Sequence, residues 1–250
     1  MGTLAQEIRL DHTEAQAQLT AFYEAALLEL RESACFDANQ MRQLSAPFLL
    51  NVERSYFEAP VRVMYVGQET RGWESKLDTI LVSPEAVPRL LARYQRGMQD
   101  SWSGPFLRTL KLLTRELGRG GPGSVVWTNL QKMDVDRGPN RSRNARGYSN
   151  ALDEFSRKLF RFEVELLRPH VLIFGTGPHY DKLIQRCFPG RQESRVVVPR
   201  AQWHFTVDSI RCYRTWHPRT VPRKNWPHTL AEYYRAIIED VHREFPAVYG

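Results

Sequence analysis

Three short stretches place hydrogen-bonding or reactive side chains just past apolar runs. In VMYVGQETRGWE, residues 63–74, Glu69 stands two positions beyond Gly67. In VVWTN the run closes on Asn129, and in CYRTWHPR the imidazole of His217 lies between a tryptophan and a proline. A carboxylate can orient or deprotonate a water, a carboxamide offers both donors and an acceptor, and an imidazole can donate to a developing anion. A fourth run, HVLIFG, leads into the turn Gly175-Thr176-Gly177. Each residue also has a plainer role open to it: Glu69 at a helix start, Asn129 in a turn, His217 as a structural loop residue.

Their shared context comes from the elements that must carry them. The runs VRVMYV (61–66), SVVWTN (124–129), HVLIFG (170–175) and SIRCYRTWH (209–217) read as strands. Helical stretches lie between and around them. Residues 13–33 place Leu19, Phe22, Ala26 and Leu30 along one face; Ser83 is expected to cap a helix with Pro84 at its first position, running to about Met98. A further helix is expected from Pro105 to Leu117, another from a Ser149 cap to Leu167, and two more over 178–187 and 228–244. Such β-α alternation with nearly continuous apolar strands implies an α/β fold, a three-layer αβα sandwich around a mainly parallel four-stranded sheet. Extra hairpin strands are expected near 196–207. One domain would span 1–250, with residues 1–55 a helical extension packed on it. Ligands in open sheets of this kind sit at the carboxyl ends of the strands, so the four runs would gather a carboxylate, an amide, a glycine turn and a histidine on one rim.

Those motifs, in this order and each at a strand end, resemble the uracil-DNA glycosylase superfamily over roughly residues 60–240. VGQET is similar to its first motif, with Gly67 and Gln68 in place and Glu69 where the family has Asp or Asn. VVWTN matches the strand ending in a base-reading asparagine, and TWHPR the final HP motif. The resemblance implies excision of a flipped-out pyrimidine by hydrolysis of its N-glycosidic bond. It implies catalytic roles for Glu69 on the water side and for His217 beside the 2-oxo group, and base contacts from Gln68, Asn129 and a stacking ring, for which Phe106 is the candidate. No cofactor and no metal are implied, and a monomer is the default.

Two departures bear on the substrate. Glu is one methylene longer than Asp, which changes the reach of the water-side carboxylate. Where the pattern GQDPYH has a tyrosine that crowds position 5 of the pyrimidine, this chain has Arg71, followed by Gly72. Room for a 5-substituent is expected there, unless Trp73 folds back into it. The chain then resembles bacterial anti-phage glycosylases acting on glucosylated hydroxymethylcytosine. A uracil or mismatch repair glycosylase, a catalytically inactive binder of modified DNA, and a nucleotide-binding enzyme using FGTGPHYDK (174–182) are the alternatives.

Charge agrees with a DNA partner: 35 Lys and Arg against 28 Asp and Glu give a net +7. In DRGPNRSRNARG (136–147), Arg141, Arg143 and Arg146 sit among loop-forming residues suited to phosphate contact. In HPRTVPRKNW (217–226), Arg219, Arg223 and Lys224 are further phosphate candidates, with Val221 or Arg219 a wedge for the gap behind a flipped base. The three cysteines, Cys35, Cys187 and Cys212, are far apart and read as small buried apolar residues. No apolar run has the length of a membrane span, and MGTLAQEIRLDH lacks a basic segment followed by an apolar core, so a cytoplasmic location with no membrane partner is expected.

Overall fold

The computed structural model describes residues 11–99, 104–119, 121–138, 143–222, 224 and 226–250. Its strands are β1 (Val63–Gly67), β2 (Val125–Asn129), β3 (Val171–Gly175), β4 (Gln192–Val198), β5 (Gln202–Val207) and β6 (Ile210–Thr215). They form one six-stranded sheet in the order β2-β1-β3-β6-β5-β4. The expected four strands are its parallel part: β1 pairs in parallel with β2 and β3, and β3 with β6. The sheet is wider than that because β5 and β4 continue it antiparallel from β6, and Asp208 with φ +52° makes the turn between β5 and β6.

Every strand of the parallel part is buried along most or all of its length, as expected when helices cover both faces. On one face, Tyr65 of β1 meets Phe106 of α6 (Pro105–Leu113) and Tyr234 of α9 (Leu230–Glu244). On the other, Phe174 of β3 meets Phe160 of α7 (Asn150–Leu167), and Arg214 of β6 pairs with Asp181, the first residue of α8 (Asp181–Cys187). The chain starts its helices where local chemistry allows. Ser149 accepts the Leu152 amide N–H as anticipated, and Thr229 with Glu232 forms a capping box ahead of α9.

Several expected boundaries move. The helix expected from Ser83 begins at Ala86, as α5 (Ala86–Gln99), because the carbonyl that accepts its Arg89 N–H belongs to Glu85; Ser83-Pro84-Glu85 is spent on the approach. The helix expected to reach Leu117 leaves α geometry after Leu113 and widens into a π turn over Thr114–Gly118, where a Cβ on Gly118 would stand 2.1 Å from the Ser124 hydroxyl oxygen. Short helices α2 (Ala38–Gln43), α3 (Arg54–Glu58), α4 (Leu77–Leu81) and α10 (Pro246–Tyr249) were not anticipated. Cys35 is exposed, unlike buried Cys187 and Cys212. Among the described residues no helix is long and apolar enough to cross a membrane.

The helical extension braces the sheet through a buried polar cluster. In α1 (His12–Glu32), capped by Asp11, Phe22 is only half-buried and stacks on Phe162, while Tyr23 takes the fully buried position. Its hydroxyl donates to Glu163 at 2.8 Å. Lys132 reaches both oxygens of the same carboxylate at 2.6 and 2.7 Å and the Thr128 hydroxyl at 2.6 Å, with no exposed surface on either partner. Burial pulls the Lys132 ammonium below the usual lysine range, and the Glu163 carboxylate opposes that shift. Removing one member of such a pair strands the other charge. Lys132→Met is therefore expected to cost about 3–5 kcal/mol in urea denaturation, with the double variant Lys132→Met/Glu163→Leu closer to wild type. A single variant as stable as wild type would show that the pair does not brace the core.

Candidate active site

In register, Gly67 faces Asn129 and Gly175 faces Thr215, so the ends of the four parallel strands are level with one another. The ladder continues past β1 and β2: Leu130 N–H donates to the Gly67 carbonyl at 3.0 Å and Gln131 N–H to that of Gln68 at 2.8 Å. Gly67 has to be glycine here, since a Cβ would lie 2.3 Å from Asn129 Oδ1 and 3.0 Å from the Phe106 ring. Against this rim lies a cavity of about 540 Å³. Gln68, Glu69, Arg71, Gly72, Trp73, Phe106, Asn129, Arg143, His217 and Arg219 all line it, so most of the candidates named from sequence converge on one space.

Glu69 is half-buried, and two neighbours hydrogen-bond to it. The Tyr180 hydroxyl donates to its Oε2, and Asn144 Nδ2 lies 3.4 Å from its Oε1 and 2.8 Å from the Tyr180 oxygen. Burial pushes the carboxyl up to about 7, with nearby Asp134 adding to the shift and the Tyr180 hydrogen bond opposing it. His217 moves the other way. Burial, helped by the positive charges of Arg219 and Arg71, holds it down at about 4. Its Nδ1 accepts the Arg219 backbone N–H at 3.1 Å, which leaves the proton of the neutral ring on Nε2.

Aromatic rings form the wall between them. Phe106 lies between Tyr65, stacked at 4.5 Å, and His217, nearly parallel at 5.8 Å. Trp73 is packed against Phe48 at 4.8 Å and Trp127 at 5.9 Å, with the Arg93 guanidinium 5.0 Å over its ring. Trp73 therefore serves as wall and does not fold back over Arg71 and Gly72, which line the cavity beside it; Gly72 takes a φ of +73° in the turn, and a Cβ there would stand 3.7 Å from the Arg143 guanidinium.

The loop that carries Glu69 is anchored by Asp134, which sequence reading did not single out. Its side chain is fully buried; one oxygen accepts the Thr70 hydroxyl and the Gly72 N–H, each at 2.7 Å, and the other accepts Arg143 Nε at 2.5 Å. Arg143 also pairs with Asp136 at 3.2 Å, so this member of the expected phosphate-binding loop is engaged within the protein. Arg146 is exposed, with its guanidinium 5.7 Å from the Tyr180 ring centre. Lys224 is exposed, and Val221, 82% exposed, borders a neighbouring depression together with Trp216 and Trp226. Arg141 and Arg223 lie outside the described residues. Gln68 also borders that depression and donates from Nε2 to the Thr176 carbonyl at 2.7 Å, linking the loops after β1 and β3.

Asn144, Tyr180 and Trp127 join Asp134 among the residues missed from sequence. Asn144 and Tyr180 lie in NARG and GPHY, where nothing in spacing or composition separates them from ordinary loop residues. Trp127 was in view inside VVWTN, but as a strand residue. Among the described residues no group of three or more His, Cys, Asp or Glu side chains is placed to hold a metal ion. No protein-family model matches the chain, and no curated protein matches it.

The raised Glu69 carboxyl has a stability consequence whose sign follows from linkage. The folded protein holds its proton to about pH 7, the unfolded chain only to about 4.5, so Glu69 withdraws stability as pH rises through that window. Glu69→Gln removes the titration and leaves His217 unchanged. The variant should gain on wild type between pH 5 and pH 8 in urea midpoints, and an equal difference at both pH values would show an unperturbed carboxyl.

Proposed function

We propose that the chain is a monofunctional DNA glycosylase of the uracil-DNA glycosylase type, which hydrolyses the N-glycosidic bond of a flipped-out pyrimidine and leaves an abasic site. The observation that carries this reading is the opposed pair in one cavity: a carboxylate poised near neutrality, and a neutral imidazole whose proton is on Nε2. The two groups have complementary tasks. As the bond to the sugar breaks, Glu69 takes a proton from the attacking water and faces the positive charge that spreads over the sugar. The bonding pair leaves with the base, and the charge that gathers on its 2-oxo atom accepts a hydrogen bond from His217 Nε2–H, beside the positive Arg219 and Arg71. Water supplies the hydroxyl of the abasic sugar, and the departing base acquires a proton from solvent. Phe106 offers a ring face for stacking, and Asn129 the hydrogen bonds that read the base.

The substrate we infer carries a substituent at position 5, with glucosylated hydroxymethylcytosine of phage DNA the bulkiest form considered and anti-phage defence the corresponding role. Support comes from the absence of an aromatic side chain at Arg71 and Gly72, which line the cavity, and from a cavity volume in the range of about 300–1,000 Å³ typical of small-molecule sites, larger than a bare pyrimidine needs. Exposed Arg71 and Arg219 line the cavity, exposed Arg146 lies over Tyr180 beside Glu69, and Lys224 is exposed in the loop after His217; all four suit phosphate contacts, with Val221 a candidate wedge.

Oligonucleotides carrying 5-modified pyrimidines should break on alkali treatment after incubation with wild-type protein. Glu69→Gln should lose about 10²–10⁴-fold in excision rate and His217→Ala about 10²–10³-fold, each remaining folded. Binding without any alkali-labile site would make the chain a modified-DNA-binding protein. The wild-type rate should rise with pH through about 7 and then level, since Glu69 works ionised and His217 is already neutral there; a rate independent of pH from 5 to 9 removes Glu69 as the base. Log affinity should fall linearly with log salt, and Arg219→Ala should lower the slope by about one; an unchanged slope excludes that phosphate contact.

A further inference from the structure

Asn129 ends β2 and is 2% exposed. The Trp127 indole N–H donates to its Oδ1 at 3.1 Å. An indole nitrogen is a donor only, so this partner determines which end of the carboxamide is the oxygen. That oxygen is seated over Gly67, in the space that a Cβ would fill. Nδ2, at the other end, is buried with no hydrogen-bond partner among the described residues, although Asn129 lines the cavity. A buried amide donor left unpaired is costly, and a ligand acceptor would satisfy it. Trp127 has little freedom to release the oxygen, because Phe48, Trp73 and Phe106 pack around its ring at 4.7, 5.9 and 5.3 Å and its backbone N–H donates to the Tyr94 hydroxyl at 3.1 Å.

We propose that Trp127 is a positioning residue that locks the Asn129 carboxamide in one orientation and so makes the site select 4-aminopyrimidines over 4-oxopyrimidines. The proposal rests on the glycosylase reading above. With the 2-oxo atom at His217 and position 5 on the Trp73 side, Oδ1 on the Trp127 side meets the substituent at position 4, and Nδ2 meets ring nitrogen 3. A 4-aminopyrimidine offers an acceptor at nitrogen 3 and an amino donor for the second lone pair of Oδ1. A 4-oxopyrimidine presents a donor to the donor and an oxygen to the oxygen. An amide free to turn over would suit both.

The test holds position 5 constant. Excision of 5-hydroxymethylcytosine and 5-hydroxymethyluracil is compared in the same oligonucleotide, single-stranded and opposite guanine or adenine. Wild type should prefer the 4-amino base at least tenfold. Trp127→Phe keeps a ring in the wall but drops the N–H, and it should shrink that preference toward unity by raising the relative rate on the 4-oxo base. A general packing defect would instead slow both bases alike and leave the ratio intact, which would overturn the role of Trp127. Preference of wild type for 5-hydroxymethyluracil would overturn the proposal while leaving the glycosylase reading in place. Release of neither base, nor of any other pyrimidine, would remove that reading and the proposal together.

Discussion

The Asp134 carboxylate, sealed from solvent, holds the rim of the cavity in place. It takes a hydroxyl from Thr70, a backbone N–H from Gly72 and a guanidinium N–H from Arg143. Charge-assisted hydrogen bonds of this kind are short and directional, and a buried carboxylate that loses them has no water to turn to. One anion thus joins two loops that the sheet alone would leave separate: the turn after β1 and the segment that approaches Asn144. Glu69 directly precedes the attachment at Thr70, and its carboxylate meets Asn144, next to the attachment at Arg143, so its side chain has a defined place although it lies on a loop. The Ser45 hydroxyl accepts the Asp134 backbone N–H at 3.0 Å and ties the same junction to the segment after α2.

Two titratable groups face one cavity, and burial moves them in opposite directions because it disfavours whichever form is charged. For Glu69 the charged form is the base, so the proton is retained further up the pH scale; for His217 it is the acid, so the proton is lost early. Near neutrality both are therefore available in uncharged form, and small local terms decide the rest. Tyr180 and Asn144 offer hydrogen bonds to the carboxylate, while Arg71 and Arg219 keep the imidazole from protonating. Separated protonation preferences of this kind are what acid–base chemistry within one cavity requires. They suit the division of labour proposed for the site.

Much of this arrangement is legible in the chain. The four parallel strands can be found because both faces are covered and their sequences become nearly continuous apolar runs, and a parallel arrangement brings the loops that follow them to one edge. Glu69, Asn129 and His217 stand out for the same reason: each is the first strongly polar group, or nearly so, after such a run. The hairpin β4–β5 is harder to read, since β4 is almost wholly exposed and its residues QESRVVV carry no inward-facing period. Helix limits failed where a carbonyl or a wide turn replaced the expected cap, at Glu85 and after Leu113. Asp134, Asn144 and Tyr180 were out of reach because their importance is a matter of contacts 62 to 111 residues away in the chain.

The bond from Tyr23 to Glu163 joins residues 140 positions apart. During synthesis, α1 emerges long before its partner exists, and its apolar face must remain without its final covering while the strands and α7 are made. Only when Glu163 and Lys132 are both present can the first helix settle into a place that leaves no buried charge unmatched. Contacts of such long sequence separation raise the contact order, which across small domains goes with slower folding. The N-terminal helix thus ties the two halves of the chain together: the rim that carries Glu69 and Asn129 rests on a core to which residues 23, 132 and 163 all contribute.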